Sequence, residues 1–329
     1  MAIRMLGIVV GGMLFCAWVT DALAEEPVQP PALILADKPP PPPAPVGGPA
    51  ESAWEAYNEP PDGVFGAIDA QLLKPHLKYR LAALMDFGAL GTDVVRLPAA
   101  GMDWVVAPRI ELGYRMPEGM GGFIFAYRPL TTEGNANLLG FGVGGVGLLH
   151  SRLDQQVVDF DWTSKEWTVA ELLKVQWRLG ARFATIYADS AATDGTVFQR
   201  SSNYFYGFGP HVGLDLWEPL PIMGLGLFVR AEAATLAGRI NQTFEEVVEL
   251  QNGPAGSGNN FHKTRSVPTV SLEAGLSWSS AIFAPERVTF TAGYAFEKWW
   301  YIGNLTSNLE DNKAGLWSQG LFFRGEWRY

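Results

Sequence analysis

The chain contains a single cysteine, Cys16, among its 329 residues. Everything after the opening apolar stretch therefore lacks the means to form a disulfide or a cysteine-based metal site. Charge is also sparse: Asp, Glu, Lys and Arg make up 18% of the residues, below the roughly 25% usual in soluble domains. The net charge of -10 argues against a nucleic-acid partner. Histidine occurs only at His76, His150, His211 and His262, without HExxH or any other zinc-binding spacing. Beyond residue 24 no apolar run approaches the roughly 20 residues a membrane helix needs, so a membrane span would have to be built from strands.

The opening residues are consistent with export. Arg4 precedes an apolar stretch from Met5 to Val19, and Ala22-Leu23-Ala24 stands before Glu25, the pattern of a secretory signal cleaved after Ala24. Phe15 before Cys16 speaks against lipidation. Residues 25–62 read as a periplasmic linker: Pro27 to Pro49 holds ten of the 23 prolines, a composition that favours extended polyproline II and cannot build a core. A tether is the expected role, with contact to the cell wall as the alternative. Residues 63–329 then form one β domain.

Across the chain glycine (37 residues) and aromatics (12%) are plentiful. Ten segments alternate apolar with polar residues at period two: Val64–Lys74, Trp104–Arg115, Gly122–Leu130, Leu153–Trp162, Leu173–Tyr187, Tyr204–Leu216, Leu225–Ala237, Pro268–Trp278, Val288–Phe296 and Gly320–Tyr329. The gaps between them alternate short and turn-rich with long and polar, Gly238 to Arg265 being one of those read as outer loops. Short turns on one side and long loops on the other are expected of an all-β, antiparallel up-and-down transmembrane barrel with both termini in the periplasm. About ten strands are predicted. Twelve would result if Asn137–Leu148 and Phe244–Leu250 each supplied one more.

Alternation by itself does not say which face meets lipid. Aromatic placement does: rings at both strand ends suit two headgroup girdles. Trp104, Tyr187, Tyr204, Trp299 and Trp300 are expected in the outer girdle, and Tyr114, Trp162, Trp217, Trp327 and Tyr329 in the inner one. The opposite face would line the lumen with Arg109, Glu111, Arg115, Asp159, Asp161, Lys174, Arg178, Arg182, Arg230, Glu232, Glu273, Glu297, Arg324, Glu326 and Arg328. The final strand, LFFRGEWRY, ends on an aromatic residue as outer-membrane barrels do. Gly325 occupies an outward position where a larger apolar residue is usual.

The stretches LDQQVVDFDW (Leu153 to Trp162), YGFGPHVGLDLW (Tyr206 to Trp217), AGYAFEKWW (Ala292 to Trp300) and GLFFRGEWRY (Gly320 to Tyr329) resemble the Legionella-type major outer-membrane protein family and the related β-barrel porins of planctomycetes. The resemblance implies a pore-forming protein of the bacterial outer membrane, inserted by the barrel-assembly machinery. It brings no catalytic residues. His211 shares a face with Asp215, but four residues of strand place them about 13 Å apart, too far for a dyad. No enzymatic activity, cofactor or metal is expected. The expected function is passive diffusion of ions or small polar solutes. The alternative is a closed, salt-bridged lumen whose outer loops act as adhesin, receptor or surface layer, and a soluble secreted β protein is a third possibility. Solute, ion preference and oligomeric state are not legible.

Overall fold

The computed structural model describes residues 63–78, 81–86, 92–117, 120–141, 145–169, 173–220, 224–250, 253–279, 288–302 and 315–328. The signal and linker expected at 1–62 lie outside this set, as does Tyr329.

All ten alternating segments are strands: β1 (Gly63–Lys78), β4 (Val105–Arg115), β5 (Gly122–Leu139), β6 (Val146–Thr163), β8 (Lys174–Thr193), β9 (Val197–Pro219), β10 (Leu225–Leu250), β11 (Gly253–Ser279), β12 (Val288–Trp300) and β13 (Gly315–Arg328). Each pairs antiparallel with its neighbours in chain order, β13 returns to β1, and β6 pairs with β8. A ten-stranded ring results. It has no free edge, which is the condition for a sheet to sit in lipid. Among the described residues three further strands lie outside the ring. A hairpin of β2 (Leu81–Asp86) and β3 (Thr92–Leu97) occupies the connection from β1 to β4, and the short β7 (Trp167–Thr168) pairs with the start of β8.

Neither proposed extra strand exists as such. Asn137–Leu139 extends β5, Val146–Leu148 extends β6, and Phe244–Leu250 is the end of β10. The outer loop expected at Gly238 to Arg265 is likewise a paired ribbon: Gly238 lies opposite Arg265, and pairing continues to Leu250 opposite Gly253. The sequence hides this because strands that rise beyond an apolar band still satisfy their backbone hydrogen bonds but no longer need one apolar face. At the top of β8 and β9 the reversal is tight. Asp194 Oδ1 accepts hydrogen bonds from the amides of Thr196 and Val197 at 2.9 and 2.7 Å, and Gly195 supplies φ of 93°.

The two ends of the ring therefore differ. At one, here the turn end, β4 and β5 close through Met116 N donating to Gly121 O at 2.8 Å, and β9 and β10 through Leu220 N donating to Leu225 O at 2.8 Å. At the other, the ribbon end, paired strands run on, with β10 and β11 the longest at 26 and 27 residues. A strand tilted across a bilayer needs about 9–11 residues. More than half of that ribbon stands clear of any membrane.

Candidate functional site

Burial alternates residue by residue, and its sense is inverted relative to a soluble barrel. Phe208 and Val106 are 60% exposed on the outside, whereas Glu111 and His211 are 0% exposed within. A charged interior beneath an exposed apolar wall is unstable in water and stable in lipid. The soluble secreted alternative is incompatible with this wall.

The outer wall carries rings at both ends. Near the ribbon end are Trp104, Tyr187, Tyr204, Tyr206, Trp300 and Trp317. Lys74 lies over the Trp104 ring, Lys298 over that of Trp300, and His76 stacks on Trp317. Near the turn end are Tyr114, Trp162 and Trp327, with Trp162 meeting Trp177 edge-on at 4.8 Å. Two residues assigned to these girdles belong elsewhere. Trp299 is fully buried, on the same face as Glu297. Trp217 turns into the barrel on the face of Asp215, where its Nε1 donates to Ser277 Oγ at 2.7 Å and Lys174 lies over its ring. Both sit beside a residue of correct parity, Trp300 and Leu216. Placement by strand end alone put them on the wrong face.

All fifteen charged residues expected to face the lumen do turn inward, and most are sealed from solvent. The ring is narrow enough for opposite walls to touch. Arg109 on β4 donates to Glu232 on β10, five strands away, at 3.1 Å, and Gln155 on β6 reaches Glu297 on β12, also five strands away, at 3.3 Å. Arg324 donates to Glu111 at 2.6 Å, Gln71 to Glu273 at 2.9 Å, and Arg128 pairs with Glu297. Arg182 is shared between Asp159 at 2.6 Å and Glu232 at 2.9 Å. Every one of these charges has lost its hydration, so each persists only because partners replace the water.

His211 lies at the centre of this network. Asp215 is not its partner. Its Nδ1 is 2.7 Å from Asp161 of β6, and its Nε2 is 3.6 Å from Glu232. Asp159, His211 and Glu232 also place ligand atoms within 4.8 Å of one another. A guanidinium nitrogen of Arg182 is within 3.1 Å of His211 Nε2 and bonds both carboxylates, so positive charge already fills the place a metal cation would take.

Above the charged layer, toward the ribbon end, the interior becomes apolar. Leu73, Leu130, Leu153, Ile186, Phe205, Leu236, Ile240, Val267, Trp299 and Leu316 form one buried cluster. The stretch before β4 joins it from inside: Met102 is buried, Ala100 N donates to Ser151 Oγ at 2.9 Å, and Asp103 N donates to Glu133 O at 2.9 Å. Gly134 permits this approach, because a Cβ there would lie 2.1 Å from the Gly101 carbonyl oxygen. Leu97 packs in a second cluster with Ala100, Phe141, Leu149 and Ala192. Nothing in the alternation pattern announced this inner plug. Among the described residues the lumen is thus filled by a charged layer and an apolar layer, and a cavity of about 150 Å³ remains at the turn end.

Among solved structures the chain is similar to the Escherichia coli outer membrane protease OmpT, at 12% identity over 83% of this chain and 98% of that one, with a TM-score of 0.43. It is similar to a major outer membrane protein from Thermus thermophilus at 11% identity over 81% and 99%, TM-score 0.33. A third likeness is the CymD monoaromatic hydrocarbon channel, at 9% identity over 82% and 89%, TM-score 0.26. No curated protein matches. The family model described as the Legionella pneumophila major outer membrane protein precursor matches residues 149–329, from near the start of β6 through β13. With more than half the chain matched and a closed barrel clad in apolar residues, the protein belongs to this family of bacterial outer-membrane β-barrel proteins.

Proposed function

We propose that this barrel is closed to passive diffusion and acts at the cell surface through its long ribbons. The supporting observation is the pair of bridges across the full width of the lumen, Arg109 to Glu232 and Gln155 to Glu297, among side chains that water does not reach. The apolar layer and the inner plug above them add a second seal. An ion crossing the lumen would have to part charge pairs and then enter an oil-like layer, both at high cost. The paired ribbon of β10 and β11 supplies the surface, rich in Asn, Gly and Ser at its tip. The deep burial of the Asp161–His211 pair gives it no access to a substrate, which favours a non-enzymatic role.

The second reading is the diffusion pore that the resemblance implies, and the cavity reaching from the turn end to Arg178, Arg230 and Arg324 favours it. Planar-bilayer recording on the folded protein separates the two. We expect no conductance above a lipid control; discrete steps whose selectivity follows the salt gradient would overturn the closed barrel and establish the pore.

The same reading assigns an orientation. Cleavage after Ala24 frees residues 25–62 as a periplasmic tether able to touch the cell wall. The turn end and both termini face the periplasm, the ribbon end faces outward, lipid surrounds the apolar wall, and the assembly machinery reads β13. An epitope inserted between Leu250 and Gly253 is expected to bind antibody on intact cells. Labelling only after the outer membrane is broken would reverse the orientation.

A further inference from the structure

The cavity at the turn end contains positive groups that the surrounding acids do not fully engage. We propose that it is a binding site for one small oxyanion, held between Arg115 and Arg178.

The two arginines stand at one level of the wall. Backbone pairing runs Arg115 to Gly122, Gly122 to Thr163, and Thr163 to Arg178, so three strand spacings separate them, about 14 Å along the wall. The two inward residues between them are small. Arg115 lies over the Phe65 ring, 5.0 Å from its centroid, and both arginines line the one cavity. Arg178 folds against Gly213, where a Cβ would sit 3.4 Å from its own Cβ and Cδ.

Each arginine has a spare donor. Arg178 is 3% exposed, and its Nε and Nη2 bond Asp215, yet its Nη1 is buried with no partner among the described residues. Among the described residues the acid paired with Arg115 is Glu326 at 3.9 Å, and the Arg115 Nη1 is also buried without a hydrogen-bond partner there. Buried donors of this kind are costly unless something accepts from them.

The local charge count has the same sign. Arg230 and Arg324 line the cavity but reach the deeper Glu111. With Lys174 paired to Glu166, that leaves, among the described residues, Arg115, Arg178 and Arg328 against Asp215 and Glu326, three cations to two anions. Glu326 is shared by Arg115, Arg324 and Arg328, and Asp215 by Arg178 and Arg230. One excess positive charge and two orphan guanidinium donors match a carboxylate or phosphate-type anion, whose oxygens accept from both. The site depends on the turn-end half alone and holds whether or not the barrel conducts.

The test is calorimetric titration of the detergent-purified protein with inorganic phosphate at fixed ionic strength. Saturation at one anion per chain is expected, weakened roughly tenfold in Arg115→Gln by the loss of one charge-assisted hydrogen bond, and unchanged in Arg200→Gln at the ribbon end. Arg115 has the lighter structural burden, so this variant keeps the test decisive even if Arg178→Gln fails to fold. Absence of saturation in the unaltered protein, equal affinity in Arg115→Gln, or equal weakening in Arg200→Gln would each overturn the site.

Discussion

The two halves of the lumen are filled by different means. Toward the turn end the interior is a lattice of arginines and carboxylates, in which Glu111 alone lies against Arg109, Arg230 and Arg324. Toward the ribbon end it is an apolar core that could belong to a soluble protein, with Trp299 and Phe205 fully buried. The charged half coincides with the wall that faces lipid, and the apolar half with the level where the outer rings end and the ribbons begin. Where the outside is lipid, polar residues can only go inward; where the outside is water, the protein returns to the ordinary arrangement. The hydrophobic layer also caps the charged one, keeping it dry and its pairs strong.

Removing one member of the lattice tests this contrast most severely. Glu111→Leu leaves three guanidinium groups short of a partner and is expected to cost about 3–5 kcal/mol, read from urea unfolding in lipid vesicles; a loss under 1 kcal/mol would mean that water enters the turn-end half freely. Trp299→Ala opens a cavity in the apolar half and should cost about 3–5 kcal/mol, with little salt dependence. A strong dependence on salt would show that the two halves are not physically distinct.

The outer wall offers a graded test. Phe183 lies opposite Val158 and Phe208 between the two aromatic levels, whereas Leu179 is level with Trp162. Phe183→Arg is therefore expected to cost about 2–4 kcal/mol, and Leu179→Arg only about 0–1; equal losses would place the membrane differently on the barrel. The smallest effect is expected at Gly325, where a Cβ would meet only the Phe290 ring, at 3.9 Å. Gly325→Ala should change stability by no more than about 0.5 kcal/mol, so a larger loss would reveal a contact of β13 that the closed barrel does not contain.

Much of this architecture was legible in the sequence. Alternation is a local property, since neighbouring side chains of a strand must point to opposite faces, and it located all ten ring strands and the inward face of the fifteen charged residues assigned to the lumen. The same rule held the signal that end-of-strand reasoning missed, for Trp299 is two residues from Glu297 and Trp217 two from Asp215. Strand ends were less legible. The pattern fades where β10 and β11 leave the apolar band, and Gly238 to Arg265 looked like loop although pairing runs from Gly238 and Arg265 up to Leu250 and Gly253.

The sequence by itself determined the strand order, the two faces and the class of surroundings the wall requires. Only the closed structure decided what the inward face does. Asp161 meets His211 across 50 positions and Arg324 meets Glu111 across 213, because ring closure and strand stagger bring distant registers to one level, and no periodicity along the chain encodes that coincidence. The inner plug from Leu97 to Met102 was decided in the same way: its apolar residues are too few to announce an element, and they find a buried place only once the ring around them exists.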